Sequence, residues 1–179
     1  KTLQNFSKST DVHIGPISIG MHFNPYGESL VSNKNKIRLE MADSDPRHDQ
    51  LFSLTWTLAI FIQSINKESK FFTFNSIYGH HGILNKDNTK RPLYHLNNFL
   101  ISLSNSEIFK FNSVNEVYGL KIVLNDKNYY LFVNSSKQKK EINISEVDFS
   151  HQYKLNLKNY TDIFNNDFSF FNFKKDLNP

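Results

Sequence analysis

Val12-His13-Ile14-Gly15-Pro16-Ile17-Ser18-Ile19 and Lys70-Phe71-Phe72-Thr73-Phe74-Asn75-Ser76-Ile77 frame one long apolar-faced segment, and that frame decides the fold. The first stretch is short and mostly β-branched, the composition of a buried strand, with Pro16 at an end or a bulge. The second is the next strand candidate. Between them, Asp43-Ser44-Asp45 offers capping side chains and Pro46 suits a first helical position. Leu51, Leu54, Leu58, Phe61, Ile62 and Ile65 then recur at helical spacing, which predicts a helix from Pro46 to about Asn66. Phe52, Trp56, Ala59 and Ile60 widen its apolar surface, so it should be covered on more than one side. Two buried strands joined by a helix form most simply a right-handed parallel βαβ unit. A second helix is expected from Pro92 to about Ser104, with Leu93, Leu96, Phe99, Leu100 and Leu103 on one face.

Beyond Glu107 the pattern changes. Val114 to Leu124 and Tyr129 to Val133 flank the polar turn Asn125-Asp126-Lys127-Asn128 and read as a hairpin. Glu141 to Ser145, Tyr153 to Leu157 and Phe168 to Phe173 add alternating segments, for an antiparallel module of five to seven strands. The fold class is therefore α/β followed by all-β. Residues 1–105 form the α/β part and 106–179 the antiparallel β part, a sandwich-like module packed on the helical layer through Phe and Tyr. The junction near Ser104 is too poor in Gly and Pro for a free linker.

The whole composition narrows the function classes. At 179 residues the chain is too short for a complete architecture of more than about 200 residues. Seventeen Phe and eight Tyr supply a core in large rings, whereas six Gly and five Pro exclude collagen-like and Gly-rich phosphate-cradling proteins. The formal charge is +4 and the pI about 9.1. The basic residues are scattered, and the densest cluster, Lys137, Lys139 and Lys140, reads as a solvated turn, so no nucleic-acid partner is expected. With no cysteine, thiol catalysis and thiolate metal sites are excluded. No stretch approaches the length of a membrane span, and no membrane partner is expected.

In barrels and open α/β sheets, ligands meet the loops at the carboxyl ends of parallel strands. The first strand delivers His22, Asn24 and Tyr26 to that rim, and the second delivers Asn75, Ser76, Tyr78, His80 and His81. The helix-start loop adds Glu40, Asp43, Asp45, Arg47 and His48. Taken singly each reads better as a loop or capping residue, and Arg47 as a structural partner of Asp43 or Asp45; their coincidence at one rim is the functional signal. Adjacent His80 and His81 point to opposite faces in extended chain, so neither a metal nor a cofactor is expected. Asn75 sits where the second strand meets the rim. An amide is neither a general base nor a carboxylate nucleophile, yet it holds a hydroxyl or carbonyl oxygen; the alternative is a strand-end cap.

The succession I-G-P-I-S-I (Ile14 to Ile19), F-N-P (Phe23 to Pro25), D-P-R (Asp45 to Arg47), W-T-L (Trp56 to Leu58), F-N-S-I-Y-G (Phe74 to Gly79) and P-L-Y-H (Pro92 to His95) resembles the last strands and helices of D-apionate lactonase-like proteins. These are (β/α)₈ barrels, akin to glycoside hydrolases, that carry a β domain after the barrel. The resemblance implies the C-terminal βαβα portion of such a barrel, with an N-terminal barrel segment as the missing partner. It further implies hydrolysis of a sugar-acid lactone, with a small sugar or sugar-acid ligand and with catalytic carboxylates upstream; no catalytic residue is assigned here. Where a carboxylate is expected near the end of the last strand stands Asn75, and where a basic residue is expected before F-N-P stands His22. The substrate-binding residues so designated are His22, Asn24, Asn75 and His81. The rival reading is a non-catalytic carbohydrate-binding or protein-interaction module that presents aromatic platforms from its β part.

Overall fold

The computed structural model describes residues 11–20, 30–39, 42–65, 69–144, 152 and 154–160. The two framing stretches pair as expected: β1 (Val12–Ile17) and β2 (Ser69–Phe74) run parallel, with Ile14 opposite Phe72 and Ile17 opposite Phe74. Their crossover contains α1 (Leu51–Ser64). The rings of Phe72 and Phe74 stack at 6.2 Å, and Phe61 of α1 meets both edge-on at 5.3 and 6.0 Å. Such contacts add to the burial of the rings themselves. On the other face of the pair, His13 and Thr73 are exposed and joined by a 2.6 Å hydrogen bond, and Phe71 is 61% exposed.

The helix begins later than expected. Pro46–Asp49 form a separate 3-10 turn, and Gln50, in extended conformation, divides it from α1. Two anchors hold that turn: the Asp45 carboxylate accepts from the Arg47 amide at 2.8 Å, and buried His48 is hydrogen-bonded to the Gly82 carbonyl at 3.0 Å. β2 also ends earlier than expected, at Phe74. Asn75 takes a left-handed conformation (φ +58), which asparagine tolerates better than most residues and which breaks the pleat. The chain continues as β3 (Ser76–Tyr78), parallel to β4 (Gly82–Leu84). α2 (Pro92–Ser102) follows, shorter at its end than the spacing suggests.

β5 (Glu107–Lys110), β6 (Val117–Leu124) and β7 (Lys127–Asn134) form an antiparallel sheet in that order. The hairpin turn has two residues, not four: Leu124 pairs with Lys127, and Asn125 and Asp126 adopt φ +49 and +60. Two left-handed residues match the natural twist of the flanking strands. Of the five to seven strands expected, the described residues contain three. Glu141–Ile144 form no strand, and Lys154–Tyr160 form a turn in which the Asn156 Oδ1 accepts from the Lys158 amide at 2.8 Å. Local Asx bonding competes with strand pairing there. Phe168–Phe173 lie outside the described residues.

One core joins these parts. Leu54, Leu58 and Ile62 of α1, Leu93, Leu96 and Phe99 of α2, and Leu120, Ile122 and Val133 of the sheet belong to one buried cluster. α1 is therefore covered on two sides, by the phenylalanines of β2 and by the sheet. Aliphatic side chains carry the centre of the sheet contact, with Tyr118 and Tyr129 at its margin. The phenylalanines expected there lie on the outer face instead. Phe111 stacks with Phe132 at 5.7 Å and with Tyr130 at 6.4 Å. The Phe132 ring covers Gly119, where an added Cβ would stand 2.6 Å from it.

Candidate functional site

The carboxyl ends of β1 and β2 are tied together at Asn75, whose amide donates to the Ile17 carbonyl at 2.9 Å. The side chain of Asn75 is buried, the residue being 8% exposed, and neither its Oδ1 nor its Nδ2 has a hydrogen-bond partner among the described residues. Native proteins pair nearly all such groups, so an amide with both ends open calls for an explanation. The loop leaving β3 returns beside it, the Ser76 amide donating to the His81 carbonyl at 3.2 Å. That loop sets the half-buried His81 against the exit of β1: a Cβ on Gly20 would lie 3.0 Å from the His81 Cε1 and 4.0 Å from the Asp45 Cβ. Three segments thus converge, the exit of β1, the loop after β2 and the approach to the 3-10 turn.

Of the four designated binding residues, Asn75 and His81 come to one rim, while His22 and Asn24 lie outside the described residues, as does Glu40. The acidic groups are partly engaged. Asp45 holds Arg47 in a fork, with Nε at 2.9 and 3.2 Å and Nη2 at 2.6 Å, so the structural reading of Arg47 holds. That bonding keeps the Asp45 carboxyl below its ordinary range and raises Arg47 above its own. Asp43 accepts from the Asn33 amide at 2.9 Å and stands 3.8 Å from the exposed His80 Nε2. His48 leaves the rim for the interior, where it is 1% exposed. Burial pushes its imidazole below the ordinary pKa, and the Arg91 charge acts in the same direction. Among the described residues no group of three His, Asp or Glu side chains is placed to hold a metal ion.

Two buried polar residues escaped the sequence reading. Asn33, inside what reads as a polar loop tip, is 5% exposed and ties that loop together, donating to Ile37 and Ser44 carbonyls at 2.6 and 2.9 Å. Arg91, the residue before α2, is 7% exposed. It donates to the Asn85 Oδ1 at 2.8 Å and to the His80 and Gly82 carbonyls at 3.0 and 3.3 Å, and pairs with Asp49 at 3.3 Å. Neither has a periodic signal, because each satisfies backbone carbonyls of a loop. The basic turn past β7 borders an open polar groove of about 410 Å³ lined by Glu116, Ser135, Ser136, Lys137, Gln138 and Lys140.

The family model described as "D-apionate lactonase, TIM barrel domain" matches residues 1–105. This chain belongs to that family. A curated D-apionate lactonase from Brucella anthropi is 34% identical over 87 residues, which cover 45% of this chain and 14% of that protein. The chain thus matches a small share of its relative's length. No solved structure matches. The D-apionate lactonase barrel match runs from the residues before β1 through α2 and stops at Asn105, so β5, β6 and β7 lie beyond it. A complete barrel takes about 250 residues, which makes the matched stretch part of one. Among the described residues that part contains one parallel βαβ unit, with Asn75 and His81 at the rim where barrel enzymes of this architecture place ligand contacts.

Proposed function

We propose that the chain supplies one sector of the substrate rim of a lactonase-like carbohydrate hydrolase, with a sugar-acid lactone or a related sugar as ligand. The observation that carries this reading is the buried Asn75 amide with both polar atoms unpartnered at the carboxyl end of β2. An amide donates and accepts at once, which suits a sugar hydroxyl that does the same, and its Nδ2 can donate to a lactone carbonyl. His81 beside it, with His22 and Asn24 from the loop after β1, completes the proposed contacts. Asn75 cannot take a proton, so the acid–base groups are assigned to the remainder of the barrel. The exposed face of β1 and β2, carrying His13, Phe71 and Thr73, supports that partner: in a barrel the same face points inward and is packed by side chains from the other strands.

The test is Asn75→Gly in the full chain. Glycine accepts the left-handed backbone that alanine would strain, and it removes the amide cleanly. Affinity for a sugar lactone such as D-ribono-1,4-lactone should weaken by about 1–3 kcal/mol, while the melting temperature holds or rises as an unsatisfied buried group disappears. Unchanged affinity retires Asn75 as a ligand contact. Unchanged affinity in a chain that binds sugars without hydrolysing them supports the rival binding module.

A further inference from the structure

Arg91 grips the loop that carries the rim histidines by its backbone. One guanidinium nitrogen, Nη1, donates to the His80 carbonyl at 3.0 Å and to the Gly82 carbonyl at 3.3 Å, so the two carbonyls that bracket His81 share one donor. The second side of the fork is fixed as well, Nε reaching Asn85 Oδ1 at 2.8 Å and Asp49 Oδ1 at 3.3 Å. His48 holds the same Gly82 carbonyl at 3.0 Å. Gly82 itself tolerates no side chain, since a Cβ there would stand 2.4 Å from the Tyr78 carbonyl carbon. The peptide is therefore held by Arg91 and His48 together, and the ring of His81 lies against Gly20.

Opening α2 needs none of this. Pro92 begins the helix, and the backbone of Arg91 meets its own need by donating to the Ile83 carbonyl at 3.0 Å. A charged side chain only 9% exposed is costly unless its bonds are placed with care, and here they go to the histidine loop. We propose that Arg91, braced by His48, is a positioning residue that fixes His81 on the rim. This assignment rests on the rim reading above.

The variant that separates positioning from bulk stability is Arg91→Lys in the full chain. Lysine keeps the charge facing Asp49 but, as a point donor on a flexible stem, cannot span both carbonyls and Asn85 together. The His81 ring resonances should shift and broaden, and affinity for D-ribono-1,4-lactone should fall about tenfold, the order expected for loss of charge-assisted bonds. The buried groups left unpaired lower the stability as well, so both measurements are made at a temperature where the Trp56 fluorescence melting curve shows each chain folded. Unmoved His81 resonances overturn the proposal, as does a displaced His81 with unchanged affinity for the lactone. If the unchanged chain neither binds nor hydrolyses the lactone, the rim reading fails on its own, and a His81 shift on substitution then shows a purely structural clamp. If Arg91→Lys does not fold, Asn85→Ala replaces it. That change removes one acceptor, should shift His81 in the same direction with about a threefold loss, and overturns the proposal if it does neither.

Discussion

Leu120→Ala distinguishes a shared core from two cores joined by a short connector. Leu120 is fully buried at 0% exposure, on the sheet face that packs against α1. Truncation removes three methyl-sized groups, about 2.4 kcal/mol of transfer free energy, and the cavity it leaves adds about 1–2 kcal/mol. At about 2–4 °C per kcal/mol for a chain of this size, the melting temperature should drop by about 7–18 °C. The single tryptophan, Trp56, lies in α1 and reports on the helical side, whereas far-ultraviolet circular dichroism reports on the chain as a whole. Because Leu120 shares its cluster with Leu54, Leu58 and Ile62, the fluorescence and dichroism transitions should move together and remain coincident. A fluorescence midpoint that stays put while dichroism reveals an earlier transition would refute the shared core and restore two independently folding parts.

Two further outcomes follow from local geometry. His48, depressed below its ordinary value of 6.5 by burial, should titrate below that value in ring NMR spectra. Below about pH 6.5 the unfolded chain then binds more protons than the folded one, so stability is flat above that pH and declines as pH falls toward the folded value. A His48 pKa at or above 6.5 contradicts the burial argument. Asp126→Gly, at φ +60 in the two-residue turn, should raise the urea midpoint by the equivalent of about 0.5–1 kcal/mol, because glycine occupies the left-handed region without a Cβ penalty. A lowered midpoint would refute the assigned turn.

The parallel pairing of β1 and β2 was legible because β-branched and aromatic runs flanked a long apolar helix, and one crossover leaves little topological choice. Periodicity also located both helices. It failed where side chains bond to backbone. Asn75 carries the same letter whether it extends a strand or ends it in a left-handed kink, and the Asn-rich turn at 154–160 imitates strand alternation. At the candidate site, Asn75 and His81 were designated by their place after a strand. Arg91 was not, since a lone arginine before a proline gives no sign that its partners are carbonyls several residues upstream.

The ring of Phe132 over Gly119 acts as a proofreading device for the hairpin. A one-residue slip between β6 and β7 would turn Leu131 and Val133 away from the core, but a two-residue slip preserves inside and outside and would ordinarily go unpunished. Here it would slide Val117 or Lys121 into the space beneath the ring, where even a methyl group collides. A slipped pairing would therefore have to lift the ring off its glycine and give up its stack with Phe111. The register is thus marked by one ring fitted to one bare backbone position, a mark that the alternation of side chains alone does not supply.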